Sequence, residues 1–175
     1  MSQEYLIRDA NPNEFIKIGE LMVKVYSQLD GFPSQKEQPN YYRTLANIGS
    51  FTEKPKTRLL IAISENGEIG GGVVYFSDMK YYGSGGTATQ EKNASGFRLL
   101  AVAPTARGKG IGKLLTEACI ELAKDEKQHQ VIIHSTKAMQ IAWKMYEKIG
   151  FKRSEDLDFK QEELSVYGFR LSLSS

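Results

Sequence analysis

Two periods alternate along this chain, one close to two residues and one between three and four. Leu6 to Arg8 reads as a short first strand, after which Asn11, Pro12 and Glu14 supply a helix N-cap, a first-turn proline and a capping-box acid. The helix they open carries apolar residues at Phe15, Ile18, Met22, Val25 and Leu29, until GFPS ends it. Gly31 to Lys56 is polar and aromatic, with a short helix expected around Tyr42 to Ile48. Arg58 to Ser64 and Glu68 to Phe76 are β-rich runs, and Asn66–Gly67 between them is a pair favoured in tight hairpin turns. Ser77 to Ser95 shows no period and reads as a mobile surface loop. A strand over GFRLLAVAP, a helix from Ile111 to Lys127, a strand over VIIHS, a helix from Ala138 to Ile149 and a last strand over ELSVYGFRLSL complete the pattern. Strands and helices alternate without repeat or linker, which predicts a single α/β domain over residues 1–175 built on a mixed sheet.

Composition narrows the chemistry. A chain of 175 residues can bury a sizeable core without a staple. Its 23 Lys and Arg against 21 Asp and Glu leave a net charge of +2, which speaks against nucleic acid as the main partner. One cysteine, Cys119, forms no intramolecular disulfide, and with two histidines a closed structural metal site is not expected. Cys119 falls on an apolar helical stripe and reads as an inert core thiol. The opening residues carry Glu4 and Asp9 where a leader would be basic and then apolar, and no apolar run reaches the ~18 residues of a membrane span. The expected location is the cytoplasm, with no membrane partner.

The most informative stretch is LLAVAPTARGKGIGKLLTEACIELAK. A strand ends at Pro104, and RGKGIG leads into a helix whose expected buried face is Ile111, Leu114, Leu115, Ala118, Cys119, Leu122 and Ala123. Three glycines leave the backbone amides at the helix start uncovered, so amide donors and helix dipole together can receive a phosphate. Arg107, Lys109 and Lys113 add positive charge, and the chemistry suggests a pyrophosphate. Counting excludes two commoner phosphate loops. A Walker A loop needs glycine where Arg107 stands and Ser or Thr where Leu114 stands. A dinucleotide fingerprint needs a small residue at Leu115 or a glycine at Lys113, depending on its starting glycine.

Further on, MQIAWKMYEKIGFKR sets Ala138, Ile141, Ala142, Met145, Tyr146 and Ile149 on one expected helix face, with Gly150 as its stop. Over residues 97 to 153 the chain resembles the GCN5-related N-acetyltransferase (GNAT) superfamily. VAPTARGKGIGKLL is similar to the superfamily's acyl-CoA pyrophosphate motif, and AWKMYEKIGF to the helix that follows. The resemblance implies a twisted mixed sheet with flanking helices, splayed between the fourth strand, ending at Val102, and the fifth, Val131 to His134. It also implies acetyl-CoA as co-substrate, with pantetheine pairing like an extra strand along Leu100, Ala101 and Val102 and passing Ala142. The pyrophosphate would meet the amides of Gly108, Gly110, Ile111 and Gly112, with Arg107, Lys109 and Lys113 nearby. The backbone amide near Leu100 would polarise the thioester carbonyl, and Tyr146 would protonate the departing thiolate.

This sequence departs from several relatives at Gly96, where they carry a glutamate or histidine as general base. A base from another strand, His134 acting through water, and bulk water are the remaining routes. Met139 likewise stands where many relatives have asparagine. Arg98 alternates with Gly96 and Leu100 in period two and is expected to share their face, pointing to a small amine acceptor with an anionic group. The alternative is an arginine tied to an acid such as Glu91. Phe32, Tyr41, Tyr42, Tyr81 and Tyr82 are expected to wall the acceptor half. Trp143 reads as a surface patch or subunit contact, which would suit a homodimer. The function implied is transfer of acetyl to a primary amine by direct attack in a ternary complex. Its rival is an acyl-CoA-binding sensor or scaffold with little turnover.

Overall fold

A computed structural model describes residues 4–83 and 85–173. Eight strands form a sheet in the order β1-β2-β3-β4-β5-β8-β6, with β7 pairing to β8 off that path. The strands are β1 (Tyr5–Asp9), β2 (Thr57–Ser64), β3 (Ile69–Phe76), β4 (Ala94–Val102), β5 (Gln130–Ser135), β6 (Lys152–Arg153), β7 (Phe159–Gln161) and β8 (Leu164–Ser172). The helices are α1 (Phe15–Ser27), α2 (Pro39–Ala46), α3 (Ile111–Asp125) and α4 (Gln140–Ile149). All neighbouring pairs are antiparallel except β4 with β5, which are parallel and joined through α3. The expected mixed α/β sheet is therefore present.

Helices cover both faces. On one side Ile18, Met22, Val25 and Tyr26 of α1 and Leu45 of α2 pack on Leu59, Ile61, Val74 and Phe76. On the other, Ile111, Leu115 and Cys119 of α3 pack on Leu60, Ala62, Val73 and Tyr75. Alternate residues of β2 and β3 thus serve opposite cores, which is why both strands read as nearly continuous apolar runs. The start of α1 follows its sequence signal. A short 3-10 turn, Pro12–Glu14, precedes the helix, and the Asn11 amide donates to Glu14 Oε1 at 2.8 Å.

Several expectations need correction. The β2–β3 turn has three residues, not two: Gly67 N–H donates to Ser64 O at 3.0 Å, and Ser64 N–H to Glu68 O at 2.9 Å. Gly67 takes φ 83 while Asn66 does not enter the left-handed region, so this is the type I turn with a following left-handed residue. The second helix runs over Pro39–Ala46, ahead of the expected Tyr42 to Ile48, because Pro39 suits a first-turn position. Ser77 to Ser95 is not a loose surface loop. It contains two 3-10 turns, buries Met79, Tyr82 and Ala88, and joins β4 at Ala94. On α3, Leu114 is 39% exposed while Thr116 and Ile120 are buried, so the buried stripe is rotated from the expected one. On α4, which begins at Gln140 and not Ala138, Ile141 is 89% exposed. Trp143 instead packs edge-on against Phe169, with ring centroids 4.9 Å apart, and against Tyr167 at 5.4 Å. Half-buried, Trp143 thus packs α4 against β8.

Candidate active site

The site begins where two parallel strands part. β4 and β5 pair only from Ala94↔Gln130 to Gly96↔Ile132, and β4 then continues to Val102 with no β5 partner. The opening so made is a cleft of about 1160 Å³ between the sheet and the starts of α3 and α4. The position of the splay agrees with the expectation. In the same stretch β4 carries a bulge: Val74 faces Arg98 and Gly72 faces Ala101, so Val73 alone opposes Leu99 and Leu100. Leu99 sits at φ 61, a backbone region uncommon for leucine. The extra residue resets the alternation. Arg98 and Leu99 lie on the α1 side, while Leu100 turns to the α3–α4 side. Arg98 and Leu100 therefore do not share a face as the alternation predicts, although Arg98 does share one with Gly96. From α1, the Tyr26 hydroxyl donates to Leu100 O at 3.0 Å and ties the bulge to the opposite core. Sequence reasoning missed Tyr26, because nothing local marks a contact 74 residues away.

At one end of the cleft the chain turns from β4 into α3. Gly108 and Gly110 adopt φ 80 and φ 76, and a side chain at either would meet nothing within 4 Å. Gly110 is the N-cap of α3, and its carbonyl accepts from Leu114 N–H at 3.0 Å. The amides of Ile111, Gly112 and Lys113 precede the first intrahelical donor and are left for a ligand. This open cradle of donors fits a pyrophosphate. Arg107 and Lys113 line the cleft beside it; Lys109 does not.

The middle of the cleft is lined by Leu100, Ala101, Val102, Ala142 and Tyr146, all expected there. Tyr146 is 5% exposed, with its ring held edge-on by Phe97 at 5.9 Å and Phe151 at 5.7 Å. Burial pushes its phenol well above the ordinary tyrosine value, so the proton stays on oxygen throughout the neutral range. Thr136, after β5, was also missed: its hydroxyl is buried against the cleft without a hydrogen-bond partner among the described residues. An orphan hydroxyl beside unpaired β4 backbone suits an amide-bearing ligand such as pantetheine. Met139, at the α4 N-cap, touches Ser135 Oγ through its sulfur at 3.8 Å.

The aromatic lining of the cleft differs from that expected. Phe32 and Tyr41 line it, together with Tyr26, Phe51 and Phe159; Tyr42, Tyr81 and Tyr82 do not. Tyr42 and Tyr82 are buried behind the wall. Burial pushes the Tyr41 phenol up to about 12. Arg98 projects here with Nη1 donating to Tyr82 O at 2.9 Å and its guanidinium 5.7 Å from the Tyr82 ring centre. The Glu91 alternative falls, since Glu91 is bound by Arg170. His134 lines the cleft with both ring nitrogens engaged, Nε2 on Leu157 O at 2.9 Å and Nδ1 on the Tyr82 hydroxyl at 3.0 Å. Burial lowers its pKa, so the ring is neutral at neutral pH, but it has no free nitrogen with which to take a proton. Among the described residues no group of three or more His, Cys, Asp or Glu side chains could hold a metal ion, and no helix is long and apolar enough to cross a membrane.

Gly96 is closed to a side chain. A Cβ there would stand 2.8 Å from Ile132 O, Met79 Sδ and Tyr82 Cε1 alike. Gly96→Ala is therefore expected to destabilise the fold by about 1–3 kcal/mol through overpacking. Denaturant titration of the two proteins measures it, and equal midpoints would show that the neighbours move aside without cost.

Known proteins share this arrangement. A model of the Acetyltransferase (GNAT) family matches residues 22–151. An acetyltransferase of the GNAT family from Staphylococcus aureus Mu50 superposes with a TM-score of 0.73 at 17% identity, covering 97% of this chain and 99% of that one. The ribosomal-protein-alanine N-acetyltransferase of Brucella melitensis gives 0.68 at 20% identity, with coverage of 96% and 99%. The Salmonella typhimurium protein yncA, solved with its cofactor acetyl-CoA, gives 0.65 at 16% identity, with coverage of 98% and 95%. No curated protein matches the sequence closely enough to count as a relative. The structural likenesses, at such low identity, speak for the fold; the sequence match over most of the chain says that this protein belongs to the GNAT acetyltransferase family.

Proposed function

We propose that the protein transfers acetyl from acetyl-CoA to the primary amine of a small molecule that carries an anionic group. The observation that carries the acceptor class is Arg98, a cation directed into the acceptor half with no carboxylate partner among the described residues. In this reading Gly108, Gly110, Ile111 and Gly112 hold the pyrophosphate, while the backbone from Leu100 to Val102 and the Thr136 hydroxyl hold pantetheine. The cofactor supplies an acyl group activated as a thioester. The Leu100 amide, set by the bulge, polarises the carbonyl where negative charge develops. Tyr146 keeps a proton at Oη for the departing sulfur. The amine must arrive uncharged, and the guanidinium of Arg98 helps by disfavouring a second positive charge beside it.

Thiol release from acetyl-CoA with a panel of amines tests the reading. A sensor or scaffold role, favoured by the lack of a free base, predicts acetyl-CoA binding with no release for any amine. For an anionic acceptor, Arg98→Ala is expected to raise the acceptor KM about tenfold, as for one lost charge-assisted hydrogen bond. The KM for acetyl-CoA should not follow; equal effects on both substrates, or none, would remove Arg98 from the acceptor site. The pH profile carries a second expectation. Alkyl ammonium groups lose their proton near pKa ~10.4, and among the described residues no imidazole with a free nitrogen and no buried carboxylate lines the cleft to take it. The rate should therefore climb with pH through the alkaline range, since the nucleophile is the deprotonated amine. A plateau beginning near neutrality would reveal a base among the protein's own groups.

A further inference from the structure

The acceptor half holds a second cation that the family motifs do not touch. Among the described lining residues Arg98, Lys54, Lys160, Arg107 and Lys113 are basic and Asp30 alone is acidic. Arg107 and Lys113 stand at the glycine turn of α3, and of the other three, Arg98 and Lys54 meet at one backbone point, Gly83. A Cβ built on Gly83 would lie 3.4 Å from Arg98 Nη1 and 3.6 Å from Lys54 Nζ, so those two nitrogens are no more than 7.0 Å apart. Gly83 itself takes φ 73 and brings no side chain to this point, which the Tyr81 carbonyl oxygen also approaches, at 3.7 Å.

Neither cation is neutralised. Arg98 gives Nη1 to a backbone carbonyl and rests on the Tyr82 ring, which orients the guanidinium without cancelling its charge. Lys54 follows the 3-10 turn Ile48–Glu53, and its ammonium lies 5.0 Å from the centre of the Phe51 ring, a contact that again leaves the charge intact. No ion pair joins either of them to an acid among the described residues. Two like charges this close repel, and an arrangement of that kind is relieved when an anion enters between them. One carboxylate would satisfy one cation and leave the other unpaired. A group bearing two negative charges, with oxygens spread over several directions, satisfies both.

We propose that Lys54 and Arg98 form a clamp over Gly83 for a doubly anionic group on the acceptor amine, either a phosphoryl-type group or a pair of carboxylates. The inference rests on the acetyl-transfer reading for the amine's fate but not for the binding of the anion. Phe51 and Tyr41 flank the clamp with apolar surface, which lowers the local dielectric and strengthens the charge contacts. Specificity then comes from desolvated cations that a neutral or singly charged amine leaves unpaired.

The experiment compares aminopropylphosphonate, glutamate, aminobutyrate and butylamine as acceptors of the full chain, at a pH where the phosphonate is doubly ionised. Aminopropylphosphonate or glutamate is expected to exceed aminobutyrate in kcat/KM by about tenfold, the size of one added charge-assisted contact. Which of the two leads distinguishes a phosphoryl-type group from a dicarboxylate. Lys54→Ala should erase that preference and Lys54→Arg should restore it, because the charge matters and the shape of the lysine does not. Equal use of the doubly and singly charged amines, or a preference that survives Lys54→Ala, overturns the clamp. The same four compounds are titrated by calorimetry into CoA-saturated protein. If nothing is acetylated but the phosphonate or glutamate still binds better than aminobutyrate in a Lys54-dependent way, the clamp stands and the transfer reading falls. If transfer occurs without any charge preference, the transfer reading stands and the clamp falls.

Discussion

Acetyl-CoA at about a hundredfold above its dissociation constant is expected to stabilise the protein by about 2.7 kcal/mol, and Gly110→Glu is expected to abolish that gain. For a chain of this size the gain is a rise of about 5 to 10 °C in melting temperature. Gly110 holds φ 76 at the N-cap of α3, and the space around it is open. A glutamate there would set a carboxylate against the phosphate on the same three amides, and it would be held in a conformation unfavourable for an L residue. The second effect costs about 1–2 kcal/mol without ligand, so the variant should begin less stable. Gly110→Ala separates the two, since it carries the strain without the charge. It is expected to melt early yet still respond to acetyl-CoA. A ligand shift that survives Gly110→Glu would take the pyrophosphate away from this turn.

Tyr146→Phe is expected to lower kcat at least about tenfold, equivalent to about 1.4 kcal/mol of barrier, while acetyl-CoA binding is nearly unchanged. The ring contacts with Phe97 and Phe151 survive the substitution, so packing is held constant and only a hydroxyl is lost. Tyr146 lines the cleft, and its hydroxyl makes no hydrogen bond to a described residue and is not shut away from the cleft, so it is open to a ligand. Steady-state kinetics with a fixed acceptor, beside calorimetry for acetyl-CoA, tests both halves of the expectation. Normal turnover would return Tyr146 to the core as a packing residue.

What could be read in the sequence was what is written within one or two turns of chain. The Asn11–Glu14 cap, the apolar spacing of α1 and the run RGKGIG opening α3 are local, and each produced the element expected of it. The splay followed from the family resemblance and agrees with the three-residue β4–β5 ladder. Features made by distant partners were not legible. The bulge at Leu99 depends on how Val73 sits across the sheet, so alternation on β4 misplaced Leu100. Tyr82 and Met79 belong to a segment without period, yet they are buried because β4, β5 and His134 enclose them. β6 and β7 have two and three residues, too few for any pattern to rise above chance. The meeting of Lys54 and Arg98 at Gly83 joins three segments that have nothing in common until the sheet is assembled.

The filled space at Gly96 bears on which evolutionary routes are open to this protein. Relatives with a carboxylate at that place are more than one substitution away. Gly96→Glu alone would drive its Cβ into the Ile132 carbonyl and the Tyr82 ring, so it would be eliminated for instability before its chemistry could be selected. Removing Tyr82 first would clear one of the three contacts, leave Ile132 O and Met79 Sδ in place, and strip His134 of its Nδ1 partner and Arg98 of the ring beneath it. Each intermediate is therefore worse than the start, and Gly96 is bound by epistasis to the whole packing around it, Met79 as well as Tyr82. Selection for faster turnover at neutral pH should instead explore the acceptor wall, favouring amines that are already weak bases, and laboratory evolution from this sequence should keep Gly96.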